Sequence, residues 1–317
     1  MIESNERIDL TKVGLSPEHY PVMAQEIFDG FAVFRGKTDL KYFDGTFGRG
    51  GHYRMIKHYF PQMSGIVMDQ DLQAIEYANS EFSTQVQSAE LKVVHANFSQ
   101  FSEQITDSFD MMLLDLGVSS PQLDKAERGF SFYHDGPLDM RMNQQREVTA
   151  EVILNTATEE QLIHIFKEYG ELYRPFRVVR AIVHDRKTQA FTTTRQLAGL
   201  IERVDGWTRK GFHPATQYFM ALRLAVNEEL EVVANSLLPM MNALTDGGRL
   251  AVLTFHSLED RIVKNIFREH KEIGFPVNKK VIVPTQEECD RNSRSRSAKL
   301  RIFQKGTQDE KRKYKTT

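Results

Sequence analysis

Short apolar runs alternate with helix-length segments in the first third of the chain. The apolar runs, typical of buried strands, are residues 42–43, 65–68, 91–94 and 111–114. The segments between them, typical of helices, are residues 52–60, 72–82 and 98–108. Parallel strands need crossovers of this length, so the spacing predicts an α/β fold with a parallel sheet.

A fifth strand is predicted much later, at residues 249–255, behind the turn Asp246-Gly-Gly. Pro214 is expected to open a long helix before it, because Pro is favoured at the first helical position. Apolar residues continue from there at helical spacing, at Phe219, Leu222, Val226, Leu230 and Val233. We interpret this stripe as core packing.

The strand pattern stops between residues 119 and 213, where the residue pattern predicts helices and the charge is nearly balanced, with 14 Lys or Arg against 13 Asp or Glu. Thr193 and Gln196 have the spacing of a capping box. We interpret the segment as an insertion that leaves the carboxyl end of the fourth strand, where open α/β sheets bind ligands. The predicted organisation is a discontinuous sheet domain, an inserted substrate or lid domain and a basic flexible tail, at residues 19–118 with 214–304, 119–213 and 305–317.

Composition narrows the class of protein. The chain has 317 residues, of which 40% are hydrophobic and 26% charged, so it can bury a core. Its single cysteine, Cys289, cannot form an internal disulfide or a Cys-based zinc site, and it fits a reducing compartment. No apolar stretch approaches the length of a membrane span. We therefore expect a cytoplasmic protein with no membrane association.

Charge is distributed unevenly behind a net value of -2. Residues 291–315 carry ten Lys or Arg and two acids, which makes the tail +8 and the rest of the chain -10. A solvated, poorly ordered terminus is the ordinary interpretation of such a run. The asymmetry is also typical of proteins that contact nucleic acid.

A glycine-rich turn follows the first predicted strand, with the sequence Asp-Gly-Thr-Phe-Gly-Arg-Gly-Gly-His at residues 44–52. Glycines let the backbone approach a ligand, and the next helix presents free N–H groups. A dinucleotide fingerprint needs a small residue at position 53, where this chain has Tyr53, which disfavours a nicotinamide-dependent dehydrogenase. The spacing is similar to the first motif of S-adenosylmethionine-dependent methyltransferases.

Candidate ligand contacts stand at or just after the ends of the next three strands. Asp69 stands where a ribose-binding acid is expected, and Asp71 is better interpreted as a helix cap. Phe98 is placed to cover an adenine, although a single Phe is usually core. Asp115 begins a polar turn that runs to Gln122, and it could either contact the cofactor or accept a hydrogen bond from an incoming amine.

The predicted fifth strand leads into a polar cluster at residues 255–261. Ser257 directly follows His256 and no nucleophile elbow is present, so a hydrolase is disfavoured. The sequence also lacks the His-x-x-x-His spacing of a metal site, and we expect no metal ligands. Substrate binding or structural ion pairs are the better interpretations.

Together these motifs resemble the RsmH (MraW) family of ribosomal RNA small-subunit methyltransferases H. The resemblance covers about residues 19–303. Beyond the turn at 44–52, it rests on the blocks at residues 114–124, 128–132, 136–142, 213–216, 248–250, 255–261 and 293–301. Several of these blocks are long and are not shared with other methyltransferases.

The resemblance implies a class I, Rossmann-like methyltransferase sheet with an inserted, mostly helical domain. It implies S-adenosyl-L-methionine as cofactor, and as substrate the N4 amine of a cytidine in the decoding centre of 16S rRNA. The residues that match the family's cofactor contacts are Gly50, Gly51, His52, Asp69, Phe98, Asp115 and Gln122. Departures at residues 172–173, Gln217, Met220 and Ser293 bear on RNA contacts rather than on the cofactor site.

Chemistry favours attack by an exocyclic nitrogen. Methylation at carbon 5 would need a cysteine at the site, and Cys289 lies in a polar segment before the tail. Asp115 is the first candidate to orient the amine, with Ser119, Ser120 and His256 as lesser ones. The expected partner is 16S rRNA or the small ribosomal subunit, with no obligate protein partner. The alternatives are an amino-methyltransferase acting on another RNA or on DNA, and a catalytically silent RNA-binding module.

Overall fold

The computed structural model describes residues 7–15, 20–207 and 213–307. The chain divides into two compact units. The first unit comprises Met1–Gly117 and Leu230–Thr317, and the second is Val118–Glu229. The predicted start of the sheet domain at residue 19, and residues 308–317 of the predicted tail, lie outside the described residues.

Seven strands form one sheet in the first unit. They are β1 (Lys41–Asp44), β2 (Ser64–Asp69), β3 (Leu91–His95), β4 (Phe109–Asp115), β5 (Leu244–Thr254), β6 (Gly274–Pro276) and β7 (Lys299–Lys305). Their order is β3-β2-β1-β4-β5-β7-β6, and the first five are parallel. The last two add antiparallel to β5. Strand order reverses between β1 and β4, which is where such sheets bind ligands.

Helices of the first unit connect these strands. They are α1 (Ala24–Phe31), α2 (Gly51–Tyr59), α3 (Leu72–Glu81), α4 (Ser83–Gln87), α5 (Phe101–Gln104), α12 (Glu229–Asn242), α13 (Ser257–Glu269) and α14 (Gln286–Arg291), with 3-10 turns at Ala32–Phe34, Phe98–Gln100 and Ser293–Ser297. Asp71 caps α3 as predicted, its side chain accepting a hydrogen bond from the backbone N–H of Gln73. No helix in the described part of the chain is long and apolar enough to span a membrane.

The sheet of the first unit separates two apolar cores. Successive residues of β4 alternate between them: Met111 and Leu113 belong to one cluster, Met112 and Leu114 to the other. Side chains of a strand point to opposite faces in turn, so an uninterrupted apolar run marks a strand that is covered on both sides.

The second unit is helical. Its elements are α6 (Ser120–Asp124), a 3-10 turn at Ala126–Arg128, α7 (Ala150–Thr156), α8 (Glu159–Glu168), α9 (Phe176–Asp185), α10 (Thr194–Asp205) and α11 (Ala215–Asn227). They enclose a core of their own. Thr193 and Gln196 form the predicted capping box at the start of α10. A separate core explains why strand periodicity stops over this part of the sequence.

The second unit ends 16 residues later than the sequence predicted, at Glu229 rather than residue 213. Helix α11 belongs to it because Tyr218 and Leu222 are buried in its core. The single long helix predicted from Pro214 through Val233 is wrong. Glu228 adopts the left-handed conformation, with φ of 52°, so the chain breaks into α11 and α12. The apolar stripe continues through the break, and periodicity alone could not show it.

Two further elements differ from the predicted ones. The helix expected over residues 98–108 is a 3-10 turn followed by the four-residue α5. Strand β5 starts at Leu244, five residues before the predicted start, and it carries a register shift against β4 where the turn Asp246-Gly-Gly lies. Gly247 has φ of 79° there, which a bulge tolerates and a regular strand does not.

The first part of the basic tail is built into the sheet. Residues 293–301 form a 3-10 turn and enter β7, and β7 continues through Lys305. The predicted start of a flexible tail at residue 305 is therefore wrong, because Lys305 ends β7 and its ammonium donates to the carbonyls of Asn242 and Leu244. Residues 308–317 lie outside the described chain.

Ser295 fastens this segment to the rest of the unit. Its side chain is fully buried, and its hydroxyl donates a hydrogen bond of 2.6 Å to Oε1 of Glu288. Glu288 also accepts from the backbone N–H of Met23 and from the guanidinium of Arg291. A buried carboxylate thus holds both ends of the unit's chain.

We predict that Ser295→Ala lowers the free energy of unfolding by about 1–3 kcal/mol, because it removes a donor from a buried carboxylate. Urea unfolding followed by circular dichroism measures the loss. Ser293→Ala is the matched control, since Ser293 is exposed on the same turn. Equal stability of the two variants would contradict the proposed fastening.

Candidate active site

Three neighbouring parallel strands end on aspartate at the same edge of the sheet. β1 ends at Asp44, β2 at Asp69 and β4 at Asp115. In the register of the sheet, Asp44 pairs with Val67 on one side and with Leu113 on the other. The other two aspartates stand two residues further along their strands, so they rise above Asp44 on either side of the switch point.

The turn from β1 to α2 requires glycine at two positions. Gly50 precedes α2 with φ of 67°, and a Cβ there would lie 2.6 Å from Cζ of Phe47. A Cβ on Gly45 would lie 2.6 Å from Cδ2 of Leu114. Gly51 is the first residue of α2, whose leading N–H groups have no partner inside the helix. The turn is therefore a close-packed cradle with backbone donors.

Thr46 joins the ends of β1 and β4. Its backbone N–H donates to Oδ1 of Asp44 at 3.0 Å, and its hydroxyl accepts from the backbone N–H of Asp115 at 2.6 Å. Tyr42 donates its phenol to the other oxygen of Asp44 at 3.1 Å. Burial raises the pKa of Asp44 to about 6, with nearby His52 and the hydrogen bonds opposing the rise.

His52 faces Asp115 in the first turn of α2. Its Nε2 lies 3.4 Å from Oδ2 of Asp115, within ion-pair range but without hydrogen-bond geometry. Both ring nitrogens and Oδ1 of Asp115 are buried atoms that have no hydrogen-bond partner among the described residues. Buried polar groups are rarely left unpaired, and those that are often mark a functional site.

Asp69 is held by the turn itself. Oδ2 accepts from the backbone N–H of Gly48 and Oδ1 from that of Asp71, each at 2.8 Å. Burial raises the pKa of Asp69 to about 6, although both hydrogen bonds oppose the rise. These bonds fix the orientation of the carboxylate at the end of β2.

Phe98 lies beside the turn, because a Cβ added to Gly45 would lie 3.2 Å from the Cβ of Phe98. Only 8% of Phe98 is exposed, and it belongs to a core cluster of the first unit. Asn97 before it donates its amide to Gln70, the residue after Asp69, at 2.7 Å. The segment after β3 is thereby tied to the end of β2.

Ser119, Ser120 and Gln122 belong to the second unit. Ser119 precedes α6 and Ser120 is its first residue. Gln122 is buried, and its side-chain oxygen accepts from the backbone N–H of Ser119 at 2.9 Å. The three residues build a helix start, and their roles toward a cofactor or substrate stay predictions.

His256 caps α13 in the first unit, with Nδ1 accepting from the backbone N–H of Glu259 at 3.5 Å. Its Nε2 lies 3.1 Å from a carboxylate oxygen of the buried Glu259, without hydrogen-bond geometry. Asp260 forms a two-pronged ion pair with Arg301 of β7. Structural ion pairing, one of the two interpretations of this cluster, thus has direct contacts behind it.

Six of the residues selected from the sequence lie around the ends of β1, β2 and β4: Gly50, Gly51, His52, Asp69, Phe98 and Asp115. Two further residues of the same edge, Asp44 and Thr46, lie within the motif at residues 44–52 but were not selected as site residues. The repeated strand-final aspartate could have indicated Asp44, whereas the bridging role of Thr46 needs the strand pairing. Within the described residues, no group of three or more His, Cys, Asp or Glu could hold a metal ion.

The sheet order, its antiparallel last strands and the glycine cradle at the switch point define the Rossmann-like class of S-adenosylmethionine-dependent methyltransferases. The chain belongs to the MraW methylase family, whose sequence pattern matches residues 16–306.

Comparisons with known proteins agree with this membership. A protein of Bdellovibrio bacteriovorus named Ribosomal RNA small subunit methyltransferase H is 68% identical, covering 98% of this chain and 95% of its own. A protein of the same name from Legionella pneumophila (strain Paris) is 40% identical, covering 91% and 99%. A crystal structure of a putative methyltransferase from Streptococcus mutans in complex with SAH shares 10% sequence identity with this chain. Its TM-score is 0.41, and the match covers 84% of this chain and 89% of the other.

We predict that the carboxyl of Asp69 makes stability depend on pH. Its folded pKa of about 6 exceeds the ordinary 3.8, so the folded state holds the proton more tightly. The contribution of this group to the free energy of unfolding therefore falls as pH rises from about 4 to about 6. Asp69→Asn cannot ionise, so its stability relative to the unsubstituted protein should rise over that interval, by up to about 3 kcal/mol.

Urea unfolding of both proteins at pH 4, 5, 6 and 7 measures this difference. Asn loses one acceptor, which adds a constant offset, so only the change with pH is informative. A difference that stays constant between pH 4 and pH 7 would contradict the raised pKa.

Proposed function

We propose that this protein transfers a methyl group from S-adenosyl-L-methionine to the N4 amine of a cytidine in the decoding centre of 16S rRNA. The unpartnered, buried carboxylate oxygen of Asp115 carries the proposal, because an amine donor is the group such an acceptor lacks. The choice of ribosomal RNA follows the names of the relatives. A substrate of this kind implies that the protein acts in the cytoplasm.

The cradle fits the proposed cofactor. S-adenosylmethionine supplies an electrophilic methyl group when it is bound. The leading N–H groups of α2, beyond Gly50 and Gly51, suit a carboxylate. Asp69 offers acceptors oriented for ribose hydroxyls, and Phe98 offers an aromatic edge beside the turn. His52 and Gln122 complete the proposed cofactor contacts.

The rest of the task falls to positioning. A cytosine amine is conjugated with its ring and is a weak nucleophile, so alignment and exclusion of water are the main contributions available to the protein. Asp115 would orient the amine by accepting a hydrogen bond from one of its N–H groups at Oδ1. A base inside a duplex cannot reach such a pocket, so the cytidine must be unpaired or flipped out.

Ser119, Ser120 and His256 remain lesser candidates for contact with the amine. Nδ1 of His256 is engaged in the cap of α13, and Nε2, which lies 3.1 Å from the Glu259 carboxylate, has no hydrogen-bond partner among the described residues. The proposed role of Asp115 does not depend on these residues.

An amino-methyltransferase of DNA or of another RNA is the competing function. Many such enzymes carry Asp, Asn or Ser followed by Pro-Pro and an aromatic residue after the fourth strand. This chain has Asp-Leu-Gly-Val at residues 115–118, which disfavours them.

We predict that transfer of tritiated methyl from S-adenosylmethionine labels small ribosomal subunits or 16S rRNA, and that mass spectrometry of the digested nucleosides finds N4-methylated cytidine. DNA and an unrelated RNA serve as parallel substrates. Label on DNA alone, or on a nucleoside other than cytidine, would refute the proposed function.

We predict that Asp115→Asn lowers single-turnover methylation by roughly 100-fold or more, because Asn replaces one acceptor by a donor. Calorimetric affinity for S-adenosylmethionine should change by less than roughly fivefold if Asp115 mainly orients the amine. A large loss of affinity instead would assign Asp115 to the cofactor. Near-normal single-turnover methylation would exclude either essential role.

Asp110→Asn is the matched control. Asp110 lies near the opposite end of β4, where it accepts from the backbone N–H of Lys41 and from the hydroxyl of Thr245. Its substitution tests whether any loss of an aspartate on this strand lowers activity. Methylation close to that of the unsubstituted protein is expected.

A further inference from the structure

A basic groove lies in the first unit, on the side of the sheet where β6 and β7 end the strand order. It encloses about 300 Å³ between α13, β6 and the segment that follows β6. We call it the α13 groove and define it by its six cationic lining residues: Lys264, Arg268, Lys271, Lys279, Lys280 and Arg301. Gly274 and Phe275 of β6 also line it.

One wall of the groove is a single helical face and its extension. Lys264 and Arg268 are four residues apart on α13, which places their side chains on the same side of the helix, and Lys271 follows two residues after the helix ends at Glu269. At 1.5 Å per residue, the two helical cations are about 6 Å apart along the axis, and Lys271 adds a third cation beyond the helix end. The cations therefore form a row along the groove and not a single point of charge.

The opposite wall comes from the chain after β6. Lys279 and Lys280 are exposed there, beside the half-buried Asn278. Strand β6 is the last strand of the sheet and pairs only with β7 among the described strands. The lining thus combines cations from two segments, α13 with its extension and the chain after β6, with the apolar side chains of Phe267 and Phe275.

The charge of the groove is not neutralised by the protein. Arg301 is paired with Asp260, at 2.7 Å from Nε to Oδ1. The other five cations make no ion pair with a described residue, and no Asp or Glu is among the residues that line the groove. Attraction to the carboxyl end of α13 accounts for Arg268 in the last turn, but not for the two lysines after β6.

We propose that the α13 groove binds successive phosphates of the RNA substrate. The assignment rests on the proposed function, which supplies a polyanion. Five unpaired cations converging on an elongated groove match a phosphodiester backbone better than a single small anion, which would engage two or three of them. The apolar part of the lining leaves room for the sugar face of the strand.

The groove and the candidate active site are connected by α13. The helix begins at the carboxyl edge of β5, where His256 caps it, and its later turns carry Lys264 and Arg268. RNA held in the groove is therefore bound to the same rigid unit that carries Asp115. Phosphate contacts of this kind fix register and add affinity without reading sequence.

The test compares two variants in which groove cations are replaced by Gln with a control that removes the same number of positive charges as the first variant. The first variant is Lys264→Gln with Arg268→Gln and Lys271→Gln, and the second is Lys279→Gln with Lys280→Gln. The control replaces Lys12, Lys37 and Lys92 by Gln, three exposed lysines of the same unit outside the groove. Binding of an unmodified 16S rRNA transcript is titrated at several KCl concentrations, with affinity for S-adenosylmethionine as the measure of intact folding.

We expect the triple groove variant to bind the RNA roughly 10-fold to 100-fold more weakly, and to lower the slope of log K against log salt by about 2 to 3 in magnitude. The double variant should lose a smaller part of both, and all variants should keep their affinity for S-adenosylmethionine. The control should change affinity by less than roughly threefold.

Equal losses in the groove variants and the control would overturn the assignment, since they would report net charge alone. Unchanged RNA affinity and salt slope in the triple variant would also overturn it, while leaving the proposed function intact if the protein methylates small subunits. Groove-dependent binding to phosphatidylserine vesicles, with none to RNA, would assign the groove to a membrane surface instead. A protein that methylates no ribosomal RNA would refute the proposed function and this assignment with it.

Discussion

The placement of three aspartates at one edge of a parallel sheet, with Asp44 buried and Asp69 and Asp115 half-buried, is the constraint on which the site depends. Register puts Asp44, Asp69 and Asp115 at neighbouring strand ends, and burial raises the pKa of the first two to about 6. Like charges in a poorly solvated place are costly unless donors face them. The glycine turn supplies backbone N–H groups and α2 supplies His52, so the cradle is also what makes the carboxylates tolerable. The acceptor left over is Oδ1 of Asp115, which has no hydrogen-bond partner among the described residues.

The distribution of charge along the sequence differs from its distribution in the folded protein. The basic tail suggested a polyanion contact, yet several of its cations stabilise the first unit. Arg291 pairs with Glu288 and Arg301 with Asp260, while Lys305 binds two backbone carbonyls. Five cations without ion pairs to described residues lie earlier in the chain, on or directly after α13 and after β6, where they line the α13 groove. The net charge of -2 is therefore a cancellation between acidic and basic parts of the protein. The tail carries only part of the positive charge.

Local chemistry predicted much of the fold and of the site. Apolar runs located the first four strands within three residues at each end, and the motif at residues 44–52 located the turn. Three things required the folded chain. Glu228 breaks a continuous apolar stripe by adopting φ of 52°, which no side-chain pattern reports. The extension of β5 depends on pairing across a bulge. Thr46 is an ordinary polar residue until strand pairing sets its hydroxyl under the N–H of Asp115.

Helix α13 explains why the polar cluster after the fifth strand is so dense. Glu259 is buried and accepts from the backbone N–H of Phe255, which fixes the first turn of α13 against the strand end. Asp260 binds Arg301, which fixes the same turn against β7. A helix anchored twice within its first turn cannot rotate about its axis, so the face that carries Lys264 and Arg268 is set by contacts at the active-site edge. Since a misplacement of about 1 Å caused far from the reacting atoms can cost roughly 100-fold in rate, an α13 groove that binds the substrate as proposed would contribute to catalysis through its rigid placement.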